Sequence, residues 1–150
     1  MNRSDAQLPI PYALATPGRR GGAVLAAQAR QLLIEAAAWV DADERFRLAH
    51  LAALRSSAAL FAERARPGSR RGPTSAWVLL AEVAPEMTDW ATYFSAGAAK
   101  RASIEFGCHA VVSAREADDL VRGSFDFLHL VEVSLGLAAG GAAGAGVRAG

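Results

Sequence analysis

The chain has 150 residues, of which 52% are hydrophobic, so it can bury one substantial core but is too short for two comfortable domains. Its formal net charge of +1 excludes a strong overall electrostatic field of either sign. Its single cysteine, Cys108, excludes an internal disulfide and a zinc cluster built from several thiolates.

The first 21 residues hold three prolines and two glycines, a composition that predicts a flexible N-terminal arm over 1–21. This segment has no cationic stretch leading into a continuous apolar run, so it does not resemble a secretory signal. No part of the chain approaches the roughly 20 apolar residues of a membrane span. We therefore expect a cytoplasmic protein without a membrane segment.

Two helices are predicted next, over 23–40 and 42–65. The first consists of strong helix formers with one apolar stripe. Asp41 and Glu44 form a D-x-x-E signal that separates the two helices and starts the second. The second helix carries apolar residues on two sides, which is typical of a central helix or of a subunit interface. Its small, Ala-rich faces would permit close approach, so a homodimer is one interpretation.

A proline- and glycine-rich stretch, RARPGSRRGPTS, ends the second helix, and Thr74 or Ser75 can cap the third. The third helix is predicted over 75–106, bent or broken at Pro85 because proline lacks an amide proton. Trp77 and Trp90 lie on either side of Pro85, where they are predicted to fill the core.

The last helix is predicted over 114–135, opened by an S-x-x-E capping box at Ser113 and Glu116. The glycine- and alanine-rich residues 136–150 cannot bury enough surface to become ordered and are predicted to form a tail. The expected fold class is all-α, an antiparallel four- to five-helix bundle over 22–135.

Three stretches resemble the HEPN domain, and most closely a small actinobacterial HEPN-like family of the SAV type. They are AHLAALRSSAALFAERARP at 49–67, SAWVLLAEVAPEMTDWATYFSAGAAKR at 75–101 and SAREADDLVR at 113–122. The resemblance covers about 25–135 and implies a helical bundle. HEPN relatives include ribonucleases, toxin partners and inactive members that bind nucleotides, RNA or proteins, so the resemblance implies a fold more directly than a reaction.

The resemblance also implies where a catalytic pair would lie, because HEPN ribonucleases carry an arginine followed after four to six residues by a histidine in a late helix. Arg122 and His129 match that spacing in the last helix and point the same way, about 20° apart. The arginine would neutralise a phosphate, and the histidine would move the proton of a 2′-hydroxyl. Against this, Gly123 replaces the polar residue usual in active relatives. Asp118 and Asp126 predict ordinary ion pairs with Arg122 and would repel RNA.

A second match, Arg45 and His50, diverges by about 140° around the helix, so His50 is predicted to be a buried histidine with a hydrogen-bond partner. The Cys108–His109 pair is too sparse for a metal site, and no cofactor is predicted. Four arginines cluster in the connection that follows the second helix: Arg64, Arg66, Arg70 and Arg71. They could bind nucleic acid through charge neutralisation, although the segment is expected to be an ordinary solvated loop.

Three functions follow in order of preference. The first is a non-enzymatic HEPN-like interaction module that binds an unknown protein partner or a nucleotide-type ligand. The second is a metal-independent ribonuclease that uses Arg122 and His129. The third is a nonspecific nucleic-acid binder that acts through the arginine-rich loop at 64–71.

Overall fold

The computed structural model describes residues 18–64 and 75–138, and every regular element within those ranges is helical. The elements are α1 (Gly18–Ala38), α2 (Ala42–Arg64), α3 (Ala76–Val83), a 3-10 turn (Pro85–Met87), α4 (Thr88–Glu105) and α5 (Ala114–Ser134). The predicted all-α class is confirmed. None of the described helices is both long and apolar enough to cross a bilayer.

Helix α1 begins earlier than its composition predicts, at Gly18 instead of Ala23. A Cβ atom on Gly22 would lie 3.1 Å from the carbonyl oxygen of Ala59 and 3.4 Å from a methyl group of Leu135. The glycine therefore permits close contact with α2 and the end of α5, and this packing outweighs its poor helix propensity. Residues 18–21 of the predicted arm lie within α1, whereas residues 1–17 and 139–150 lie outside the described residues.

Helix α2 is the centre of the bundle and is buried on most of its circumference. It packs against α1, α3, α4 and α5, with α1 and α4 running opposite to α2 and α5. The apolar pattern on two sides of α2 is therefore explained within one chain and requires no second copy. This removes the sequence argument for a homodimer.

Buried serines let neighbouring helices approach α2 without leaving polar atoms unsatisfied. Ser56 and Ser57 donate hydrogen bonds of 3.0 and 3.1 Å to carbonyl oxygens four residues earlier in α2. Ser124 of α5 donates a 3.1 Å bond to the carbonyl oxygen of Ala49 in α2. Because a buried hydroxyl without a partner is costly, each of these bonds removes an energetic penalty.

The third predicted helix is two helices with a break between them. Ser75 caps α3 by accepting a 3.1 Å hydrogen bond from the amide of Val78. Ala84 leaves the helical conformation, and Pro85 then starts the 3-10 turn that leads into α4. The hydroxyl of Thr88 donates a 2.7 Å bond to the carbonyl oxygen of Pro85. Proline thus begins a new element, where its missing amide proton costs nothing.

The aromatic core gathers around Phe94 of α4, which is fully buried. Trp77 of α3 stacks on it at 5.2 Å between ring centroids, and Trp90 stacks at 5.7 Å. Phe127 of α5 lies 5.2 Å away. The two tryptophans therefore fill the core on both sides of the break, as predicted, although Trp90 also reaches the surface.

A buried carboxylate holds the loop between α4 and α5 against the start of α2. Asp43 is 8% exposed, and its oxygens accept hydrogen bonds from the amides of Val111 and Val112, each at 3.0 Å. Val112 is itself buried in the core. The carboxylate thus satisfies two amides at the point where the chain turns into α5.

We expect Asp43→Ala to lower the free energy of unfolding by about 1–3 kcal/mol, because two loop amides lose their acceptor. Urea denaturation followed by circular dichroism measures the change. Glu35→Ala, which removes an exposed carboxylate on α1, is the matched control and should change the midpoint little. Equal midpoints for the two variants would show that Asp43 is dispensable.

Candidate functional site

Both residues of the predicted catalytic pair lie exposed on α5. The side chain of Arg122 is 69% exposed and forms an ion pair with Asp119, one turn earlier in the same helix. The side chain of His129 makes no hydrogen bond or ion pair with any described residue. Seven residues separate the two along the helix, a rise of about 10 Å. The structure places them on one helix face but in no shared pocket.

The predicted partners of Arg122 were wrong in detail. Asp118 instead pairs at 3.1 Å with Arg45 of α2, and Asp126 has no partner among the described residues. Arg122 takes Asp119, three residues away, a spacing that also brings side chains together on a helix surface. Carboxylates surround this arginine and would repel RNA, as predicted from Asp118 and Asp126.

A cleft of about 420 Å³ lies between α4 and α5, and Arg122 is part of its wall. We call it the α4–α5 cleft. Its lining combines two aromatic side chains, three carboxylates, one arginine and one glycine: Asp89, Trp90, Tyr93, Asp119, Arg122, Gly123 and Asp126. His129 does not line this cleft.

Tyr93 reaches from α4 across to α5 and lies directly over Gly123. A Cβ atom on Gly123 would come within 3.0 Å of both the ring and the hydroxyl oxygen of Tyr93. The hydroxyl donates a 3.3 Å hydrogen bond to the carbonyl oxygen of Asp119. Burial, and after it the negative charge of Asp119, raises the pKa of Tyr93. The glycine that departs from the usual pattern of active relatives therefore provides space for this tyrosine.

The α4–α5 cleft is acidic. Three carboxylates face one guanidinium, and that guanidinium is already paired with Asp119. Asp89 and Asp126 make no ion pair or side-chain hydrogen bond within the described residues. An anionic ligand such as a phosphate would be repelled by these two carboxylates, and a cationic ligand would be attracted by them.

His50 is fully buried in the centre of α2, as predicted, and has two hydrogen-bond partners. The Nε atom of Arg101 donates to its Nδ1 atom at 3.0 Å. Its Nε2 atom therefore carries the proton and donates to the carbonyl oxygen of Phe94, also at 3.0 Å. Burial, and to a lesser degree the charge of Arg101, lowers the pKa of His50 to about 4. A neutral, enclosed imidazole of this kind stabilises the fold and is shielded from a substrate.

Room for His50 comes from Gly97 of α4. A Cβ atom on Gly97 would lie 3.1 Å from the ring of Phe46 and 3.5 Å from the ring of His50. The rings of Phe46 and Trp77 flank the imidazole, with centroid distances of 6.4 and 5.4 Å. The ring environment explains why burial has the largest effect on the pKa.

Arg45 does not join His50 in a site. Its guanidinium donates hydrogen bonds to the carbonyl oxygens of Trp39 and Val40 at 3.0 and 2.8 Å. It also reaches the carbonyl oxygen of Ala114, at 3.3 Å. These bonds tie the end of α1 and the start of α5 to α2, so Arg45 has a structural role.

Only one residue of the predicted nucleic-acid-binding cluster lies within the described residues. Arg64 forms a 2.6 Å ion pair with Glu86 and donates a 2.8 Å hydrogen bond to the hydroxyl of Ser134. Its charge is therefore already neutralised by contacts between helix ends. Three of the predicted residues lie outside the described residues: Arg66, Arg70 and Arg71.

A second, larger depression of about 650 Å³ lies at the turn between α1 and α2. Trp39 and Val40 are exposed there, with Glu35 and Asp41 beside them. Asp41 is occupied in capping α2, since its side chain accepts a 2.9 Å bond from the amide of Glu44. The depression therefore offers fewer converging polar groups than the α4–α5 cleft does.

The sequence indicates Arg122 as a candidate but gives no indication of the aromatic half of the cleft. It predicts that Trp90 lies in the core, and it predicts no role for Tyr93. A signal for their position exists in the spacing, because residues 89 and 93 on one helix and 119, 122 and 126 on another each share a face. Which two faces meet is decided by tertiary packing and cannot be read from either helix alone.

A model of the SAV_6107-like HEPN family matches residues 36–132, well over half of the chain. The matched region holds α2 to α4, most of α5 and every residue of the α4–α5 cleft. It confirms the resemblance seen in the sequence. No curated protein and no solved structure gives a significant match.

Protonation of His50 predicts a pH dependence of stability. The pKa is about 4 in the folded chain and 6.5 for an unperturbed histidine, so between these values the unfolded chain binds a proton that the folded chain excludes. The stability is fully present above pH 6.5 and is lost as the pH falls toward 4. The difference corresponds to about 3 kcal/mol.

Urea denaturation between pH 7 and pH 4 measures this loss. His50→Gln should be less stable at pH 7 and should flatten the dependence in this window. His129→Gln, which changes an exposed histidine, should leave the dependence unchanged. Three carboxylates have a lowered pKa, so their titration changes the stability mainly below pH 4.5: Glu44, Glu86 and Glu116. Identical pH profiles for the two variants would show that His50 is not responsible.

Proposed function

This chain belongs to the SAV_6107-like HEPN family, and we propose that it acts as a non-enzymatic helical interaction module whose ligand is another protein. One observation carries the proposal: the concave surface that contains Arg122 is acidic, and Arg122 is already paired within it. Proteins can complement such a surface with basic side chains, whereas RNA and nucleotides present phosphates. The proposal therefore favours a protein partner over a nucleotide-type ligand.

A ribonuclease that uses Arg122 and His129 is the main alternative. An active site of that kind needs the guanidinium free to neutralise a phosphate, because this electrostatic stabilisation lowers the barrier. Here Asp119 competes for the guanidinium, and Asp89 and Asp126, which have no ion-pair partner among the described residues, add negative charge nearby. These groups argue against phosphate binding.

Nonspecific nucleic-acid binding through the arginine-rich segment is the third reading. One of its four arginines, Arg64, already binds Glu86 and Ser134 and is therefore less available to a phosphate. Binding of this type would weaken steeply with salt, since it depends on the release of counterions. Salt dependence therefore separates it from the proposed protein interaction.

The first test measures cleavage of a mixed-sequence RNA in EDTA by the full chain and by an Arg122→Ala/His129→Ala double variant. We expect intact RNA with both proteins and no salt-dependent RNA binding in fluorescence anisotropy. Cleavage by the wild type that disappears in a folded double variant would overturn the proposal and establish a metal-independent ribonuclease. Circular dichroism verifies that the double variant is folded.

The second test identifies the partner. The tagged full chain is recovered from its native host, the retained proteins are identified, and each candidate is purified and titrated against the chain by calorimetry. We expect one partner to bind the purified chain directly, with no nucleic acid present. If nuclease treatment releases every retained protein and no purified protein binds, the module does not recognise proteins.

A further inference from the structure

We infer that the α4–α5 cleft receives an arginine side chain from the partner protein. The inference deepens the proposed function and rests on it. It names the part of the partner that would be recognised, and it follows from the shape of the aromatic wall and from the charges along the rim.

The aromatic wall consists of Trp90 and Tyr93, one turn apart on α4. Their rings meet edge to face, with centroids 5.8 Å apart and planes at 87°, so they form a corner. Tyr93 is 42% exposed and Trp90 is partly exposed, although both also touch the buried ring of Phe94. Their positions are therefore set by the core, and each side chain leaves part of its surface exposed. Aromatic rings attract cations, and guanidinium groups also stack on them.

The rim supplies the opposite charge from two helices. Asp89 belongs to α4 and Asp126 to α5, and neither has a partner among the described residues. Asp119 is neutralised by Arg122, which leaves two carboxylates for an incoming cation. A guanidinium has five N–H donors in a planar fork and can serve more than one carboxylate while its face lies on an aromatic ring. A lysine ammonium lacks that planar face, so the cleft favours arginine.

The cleft is open to solvent and has a volume of about 420 Å³, so it has room for one side chain but does not enclose a larger ligand. On the α5 side, Gly123 leaves space for Tyr93, because a larger residue would displace the tyrosine ring.

Peptide titration monitored by nuclear magnetic resonance tests the inference on the isotope-labelled full chain. The probe is a blocked five-residue peptide with one central arginine between glycines and serines. The same peptide with citrulline keeps the shape but removes the charge, and a lysine version removes the planar fork. The reporter is the indole N–H of Trp90, assigned with a Trp90→Phe variant.

We expect the arginine peptide to shift the Trp90 signal saturably, the lysine peptide to bind more weakly and the citrulline peptide to have little effect. Asp89→Asn and Asp126→Asn should each lower the affinity for the arginine peptide by about fivefold, which corresponds to the upper range for an exposed ion pair. Glu35→Gln, an exposed carboxylate on α1, is the matched control and should leave the affinity unchanged. Absence of any shift at about 20 mM peptide, where a Kd of roughly 1 mM would be saturated, would overturn the inference.

Binding of the purified partner protein to the wild type and to the asparagine variants distinguishes a failure of this inference from a failure of the proposed function. If the purified partner binds the wild type and both asparagine variants equally, the cleft inference fails while the protein-interaction module stands. If neither peptide nor any protein binds, both fail. A shift of the Trp90 signal by adenosine monophosphate instead of the arginine peptide would make the cleft an anion site. Self-association of the chain that disappears in Asp126→Asn would identify a second copy as the occupant. Either result would overturn the inference.

Discussion

The burial of α2 on most of its circumference is the constraint on which the rest of the structure depends. A central helix must let its neighbours approach closely and must leave no buried polar atom without a partner. Alanine and serine meet both conditions, because their side chains are small and the hydroxyls of Ser56 and Ser57 bond within their own helix. The same closeness on the α1 side requires Gly22. The small residues of α2 are therefore explained by its surroundings.

The α4 side of the bundle is held at a distance by larger groups. Phe94, Trp90 and Phe127 fill the space between α4 and α5. His50 links α2 to α4 through a buried hydrogen bond to Phe94 and a partly buried one from Arg101. Because rings rather than small side chains separate α4 from α5, the surface between these helices is concave. The α4–α5 cleft thus results from the packing of the core. A rigid core beneath a partly exposed aromatic wall is favourable for recognition, since few side chains need to be ordered on binding.

The local signals in the sequence located most helix ends. Asp41, Ser75 and the Ser113–Glu116 box cap helices as their residue types predict, because these side chains accept the first free amides. The errors have two physical causes. Glycines near residue 20 were interpreted by their low helix propensity, which tertiary packing overrides. The ion-pair partners of Arg122 were predicted from one spacing, although i±3 and i±4 neighbours compete for the same side chain.

The amino-acid sequence by itself determined the all-α class, the break at Pro85 and the burial of His50, since these depend on periodicity, capping and the covalent structure of proline. The HEPN family followed from the resemblance of the sequence to known members. Only the tertiary structure decided which helix faces meet. The packing of these faces covers both apolar sides of α2 within the chain and places Tyr93 over Gly123. It also surrounded Arg122 with carboxylates from two helices. The physical reason is that a helix specifies its own faces through local spacing, whereas the charge and shape of a cleft are sums over residues distant in sequence.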